Sequence, residues 1–131
     1  MSDDPRYGAE VRSRMRSLAG AGALPAGPGT FHGAAGDAEQ GAQVQFDFQV
    51  EGDRVRAARF RAYGCPHLLA GASWLTERLL GARRTDLEDW DWREAATALD
   101  VPPAKFGRLL TLQDAVRDAA RNWPGPQQST V

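Results

Sequence analysis

The chain of 131 residues holds a single cysteine, Cys65, so no internal disulfide can form. That scarcity fits a reducing compartment. No uninterrupted apolar run approaches the ~20 residues of a membrane-spanning helix, and no membrane role is expected. Lysine is equally rare: Lys105 is the only one, and arginine carries the rest of the cationic charge. A strong charge of either sign is missing too, because the net charge is -1; nothing global points to nucleic acid or an anionic lipid surface. The first ten residues, "MSDDPRYGAE", are acidic and polar, unlike a secretory leader. The glycines at 20, 22, 27 and 29 do not follow a hydrophobic strand, so they make no phosphate-binding loop, and there is no serine hydrolase elbow. The expected location is cytoplasmic.

What is present is an ordinary globular balance, 42% hydrophobic and 25% charged, at a length suited to one domain covering 1–131. Tails at 1–4 and about 124–131 are expected to be disordered. Tyr7, Val11, Met15 and Leu18 recur at helical spacing, which predicts a first helix over 5–19. "AGAGALPAGPG", 19 to 29, then breaks it into an irregular surface connection. "VQFDFQV" alternates strictly, with Val44, Phe46, Phe48 and Val50 on one face and Gln45, Asp47 and Gln49 on the other. Gly52-Asp53 closes a hairpin, and the returning strand changes phase between Ala57 and Phe60, which indicates a bulge. "TFHG", 30 to 33, reads as a further short strand.

From Pro66 the chain is helical to Gly81, with Leu68, Ala72, Leu75 and Leu79 on one face, widened by Leu69 and Leu80. A helix over roughly 86–99 gathers Trp92, Ala95, Ala96 and Leu99. The last runs from after "VPP" to about Trp123, with Phe106, Leu109, Leu110, Val116 and Ala120 as its stripe. The order predicts an α+β fold, a small antiparallel sheet with helices packed on one face.

Cys65 lies in "YGCPHLLAG", where sheet gives way to helix. Proline suits the first helical position because its missing N–H has no intrahelical partner there. Cys65 is then the N-cap at the positive end of the helix dipole, a placement that favours thiolate, and a back-turned His67 would assist. The other reading is a small buried hydrophobe beside a turn.

"VRAARFRAYGCPHLLAGASWLTERLLG", 55 to 81, resembles the central segment of iron–sulfur cluster assembly scaffolds of the IscU type and of the NifU N-terminal domain. "ALDVPPAKFGRLLTLQDAVRDAARNW", 98 to 123, resembles that family's C-terminal stretch, and "YGAEVRSRM", 7 to 15, its first helix. The resemblance implies an IscU-like fold and a scaffold without turnover of its own. Of the family's three cysteines, one matches Cys65. The last falls on Arg108, preceded by Gly107 in place of histidine. An ungapped count puts the first at Gln40; another alignment uses Ala35 and keeps Asp37 as the acidic residue. Four thiolates normally hold an iron–sulfur cluster, so one thiolate with His67, His32 and carboxylates leaves the ligand set incomplete.

Three readings stay open. Cys65 accepts a persulfide, or serves as one iron or cluster ligand while a partner supplies the rest. Alternatively the fold persists as an interaction module without metal chemistry. In the third reading Cys65 and His67 hold a mononuclear metal such as zinc; for a metal or persulfide, His67 and Asp37 rank behind Cys65. The resemblance also implies a cysteine desulfurase partner and an Hsp70-type chaperone. The chaperone segment corresponds to "VPPAK", with Pro102, Pro103 and Lys105 matching; two prolines favour an extended recognition strand, or simply end one helix and start the next. In "DWDW", one of Trp90 and Trp92 is expected in the core and the other partly exposed.

Overall fold

Alternation in the middle strand sets the layers. The computed structural model describes residues 7–125, so the tails expected at 1–4 and from about 124 lie outside it, apart from Pro124 and Gly125. Three strands, β1 (Thr30–Asp37), β2 (Ala42–Glu51) and β3 (Arg54–Tyr63), form an antiparallel meander in chain order. Val44, Phe46 and Phe48 of β2 are fully buried on the face that meets the helices. Each such side chain contributes about 1.5–3 kcal/mol by leaving water.

β1 is longer than the four residues expected, because Ala34 to Asp37 continue to pair with Ala42 to Gln45. The β2–β3 turn is the two-residue kind, with Gly52 at φ +66°. The phase change in β3 is a bulge: Gln49 pairs with Ala57 but Val50 with Val55, which leaves Arg56 over. Val55, Ala58 and Phe60 thereby all face the core.

The helices are α1 (Ala9–Arg16), α2 (Pro66–Arg78), α3 (Arg84–Glu88), α4 (Arg93–Ala98) and α5 (Phe106–Arg121). α2 packs on β3, α5 on β1 and β2, α1 on α2 and α3 on α5. The approach of α5 to β1 depends on Gly33, where a Cβ would stand 2.3 Å from both the Ala115 carbonyl oxygen and the Ala119 nitrogen.

The expected boundaries need correction in three places. α1 is shorter than 5–19, since Gly8 and Ser17 at its two ends are extended. The single helix expected over 86–99 is two. Between them the Asp91 carboxylate accepts the Arg93 N–H at 2.8 Å and Gln113 takes the Trp92 N–H at 3.0 Å, so side chains replace helical bonds. Leu80 and Leu110, expected on apolar faces, are 52% and 42% exposed; Leu112 fills the α5 core position instead. Trp90 is buried and Trp92 half-buried against Phe106, as expected.

The connection at 19–29 also closes the sheet. Ala21 pairs in parallel with Phe60, whose N–H and C=O bond Gly20 and Gly22 at 2.8 Å each. Gly81 and Ala82 do the same for Val55, so the β3 edge is covered at both ends. Further along, the Leu24 N–H donates to Asp47 at 3.0 Å. Asp47 points away from the helices yet is only 1% exposed. Burial alone would raise its pKa. Hydrogen bonds from Leu24, Gln45 and His32, with the charge of Arg61, outweigh that and hold it below the ordinary 3.8. His32 is therefore a structural histidine, Nδ1 to Asp47 at 2.9 Å.

Candidate functional site

Three segments converge where β3 becomes α2. Gly64 makes the junction possible: a Cβ there would come within 2.7 Å of Leu68 and 3.2 Å of the Gly41 carbonyl oxygen. The β1–β2 turn, a 3-10 turn at Ala38–Gln40 followed by Gly41, is thus held against the residue preceding Cys65. Cys65 is the N-cap of α2, with extended backbone (φ -76°, ψ 166°) and Pro66 in the first helical position. Its carbonyl accepts the Leu69 N–H at 3.1 Å. Its thiol makes no capping hydrogen bond, and the residue is half-buried, packed against the edge of the core.

The other candidates do not join it as ligands. His67 is 2% exposed, and neither ring nitrogen has a hydrogen-bond partner. It does not turn back to bond the sulfur: the ring lies inside, its centroid 5.0 Å from that of Tyr7. Burial first, then the positive charge of Lys105, push its pKa below the usual 6.5, so it is neutral at pH 7. Asp37 is exposed and caps the turn, accepting the Glu39 N–H at 2.9 Å. Among the described residues no three His, Cys, Asp or Glu side chains group to hold a metal ion. One thiol and a sealed imidazole do not fit an iron–sulfur cluster, which wants four soft ligands.

Of the two positions considered for a first cysteine, Gln40 lies in the turn next to Gly41, whereas Ala35 sits inside β1 opposite Val44. Arg108, in the first turn of α5, is half-buried and has no ion pair among the described residues. Pro102 and Pro103 are exposed, anchored by buried Val101. Pro102 is extended (φ -70°, ψ 152°), while Pro103 opens the 3-10 turn Pro103–Lys105, so the segment is an extended corner and a helix start at once. Lys105 is half-buried and acts on His67, which brings this corner to the N-terminal end of α2.

The family model described as "NifU-like N terminal domain" matches residues 14–130. The chain belongs to this family. It is 30% identical to the "Iron-sulfur cluster assembly protein IscU" of Plasmodium falciparum over 67% of its own length and 54% of that protein's. With the "Bifunctional protein NifU/MnmA" of Rubrobacter xylanophilus it shares 34% identity over 90% of itself and 24% of the relative. The chain thus spans about half, or less, of the length of these curated relatives. In three dimensions it resembles a putative iron–sulfur cluster assembly scaffold for the SUF system from Fervidobacterium islandicum. The TM-score is 0.67 at 15% identity, covering 90% of this chain and 98% of that one. The N-terminal NifU-like protein of Brucella abortus gives 0.66 at 16% identity, covering 92% and 96%. The NifU-like fold is therefore shared well beyond the range of sequence identity.

Two features of this NifU-like domain escaped the sequence reading. Tyr7 counted as part of a helical stripe, but it precedes α1 and covers His67. Tyr63, two residues before the cysteine, is 62% exposed; its phase in β3, alternating with Ala62 and Phe60, was the available clue.

Proposed function

We propose that this domain serves iron–sulfur cluster assembly as a non-enzymatic sulfur acceptor of the scaffold type, with Cys65 as the loading point. The observation that carries this is a cysteine at the N-cap of a 13-residue helix, half-buried and without a side-chain cap bond, in a NifU-family chain. The helix dipole there favours developing negative charge on sulfur. In the transfer, the Cys65 thiolate attacks the terminal sulfur of a cysteine persulfide on a desulfurase-type partner. The partner's S–S bond breaks, its cysteine leaves as thiolate, and a new S–S bond forms on Cys65, with no net oxidation.

Iron or a cluster enters as cargo, for which a partner supplies the missing ligands. The exposed Pro102–Pro103 corner with Lys105 supports docking of an Hsp70-type chaperone in a groove. No helix of the described residues is long and apolar enough to cross a membrane, and the proposed setting is the cytoplasm.

The test is intact-mass spectrometry after incubation with a cysteine desulfurase and free cysteine. We expect the mass of one added sulfur atom on the wild-type chain, removed by reductant and absent from a folded Cys65→Ser variant. No gain, with a desulfurase that loads another acceptor in parallel, would leave an interaction module. Metal analysis of fresh protein separates the remaining case, in which stoichiometric zinc lost in Cys65→Ser marks a mononuclear site.

A further inference from the structure

Lys105 and Arg108 stand at the start of α5, both half-buried. Among the described lysines and arginines, they alone have a side chain without an ion pair or hydrogen bond. Two sets of contacts fix where that start lies. Asp118 accepts the Ala34 N–H at 3.0 Å and Asn122 donates to the His32 carbonyl at 2.7 Å, so α5 runs against β1. Its first turn therefore lies towards the Asp37 end of the sheet, where Gly41 meets Gly64. A Cβ on Gly71 would face Leu112 and Leu109, and one turn earlier on both helices His67 feels the Lys105 charge. α2 and α5 thus start side by side and run in the same sense, with Cys65 as the N-cap of α2.

Aligned helices bring two positive dipole ends together, and neither helix has an acidic residue in its first turn or a side-chain cap. Cations added to such ends are unfavourable until an anion joins them. The carboxylates of the adjoining loops, Asp37, Glu39 and Asp100, are exposed, and none pairs with either cation. His67 points to the same need. It is 2% exposed with both ring nitrogens unpaired, so a buried N–H is kept at a cost in stability without an acceptor among the described residues. An oxyanion between the helix starts supplies that acceptor, and Cys65 places a nucleophile at the same end. We propose that this end of the molecule binds thiosulfate as a sulfur source, a role that rests on the sulfur-acceptor reading above. Lys105, Arg108 and the His67 ring N–H hold the sulfonate oxygens, and the Cys65 thiolate attacks the outer sulfur. The S–S bond of thiosulfate breaks, sulfite leaves with the electron pair, and a persulfide forms on Cys65 with no net oxidation.

The test is intact-mass spectrometry of the full chain with sodium thiosulfate and no desulfurase. The expected result is one sulfur atom added at Cys65, sulfite released in equal amount, and competition by sulfate, which has no sulfur to transfer. The double variant Lys105→Gln, Arg108→Gln should raise the thiosulfate concentration for half-maximal loading about tenfold or more. His67→Phe should raise it less, while Arg121→Gln at the far end of α5 should change nothing; circular dichroism confirms that each variant is folded. Thiosulfate that adds no sulfur to a chain the desulfurase does load overturns this proposal alone. Failure with both sources overturns the sulfur-acceptor reading as well. Wild-type concentration dependence in the double variant, or loading indifferent to sulfate, also overturns the proposal, because the thiol then reacts without an anion site.

Discussion

His67 is a buried, neutral imidazole packed against the Tyr7 ring, with both ring nitrogens unpaired. Leaving such a group without a partner costs about 1–3 kcal/mol, so an apolar ring of similar shape should fit at least as well. We expect His67→Phe to match or exceed the wild type by about 1 kcal/mol at neutral pH, by urea unfolding. The pH dependence follows from the direction of its shift. The unfolded chain takes up this proton near pH 6.5 and the folded chain only at lower pH. Between those two values the unfolded state binds more protons, so stability is whole above 6.5 and declines as pH falls through that window. His67→Phe should remove that part of the decline. A variant that is clearly less stable and keeps the slope would mean the imidazole has a partner in solution.

α5 meets its neighbours at two glycines of unequal rigidity, Gly33 in β1 and Gly71 in α2. At Gly33 a methyl group would meet backbone atoms of α5 at 2.3 Å, and backbone cannot give way without moving the helix. At Gly71 the nearest atom is the Leu112 Cδ1, at 2.5 Å, the far end of a side chain. Alanine also gains roughly 1 kcal/mol over glycine inside a helix such as α2. Gly33→Ala should therefore lose about 1–3 kcal/mol or more, while Gly71→Ala stays within about 1 kcal/mol of wild type. Urea midpoints decide, and equal losses at both sites would show that α5 yields to β1. The same element scale explains what was legible. β2, the bulge in β3 and the Cys65–Pro66 helix start were readable because alternation, phase and proline placement are local. The break at Asp89–Trp92 was not, because it is made by Asp91 and by Gln113 from α5.

At the scale of the molecule, the proposed sulfur acceptor Cys65 and the exposed Leu80 stand at opposite ends of α2. Its 13 residues rise about 1.5 Å each, roughly 20 Å in all. Leu80→Glu should then load sulfur as the wild type does. Loss of loading in Leu80→Glu, by intact mass, would mean that the two ends of the helix are coupled. By itself the sequence determined β2, the bulged β3, the start of α2, the order of the elements and the thiol at the junction, since backbone preference and side-chain period act over a few neighbours. The tertiary structure alone decided what each side chain meets. Asp47 is buried on the polar face because the 19–29 segment crosses it, His67 is sealed because Tyr7 arrives from before α1, and Leu80 is left bare. Burial depends on which distant segment lands on a residue, and no local pattern carries that information.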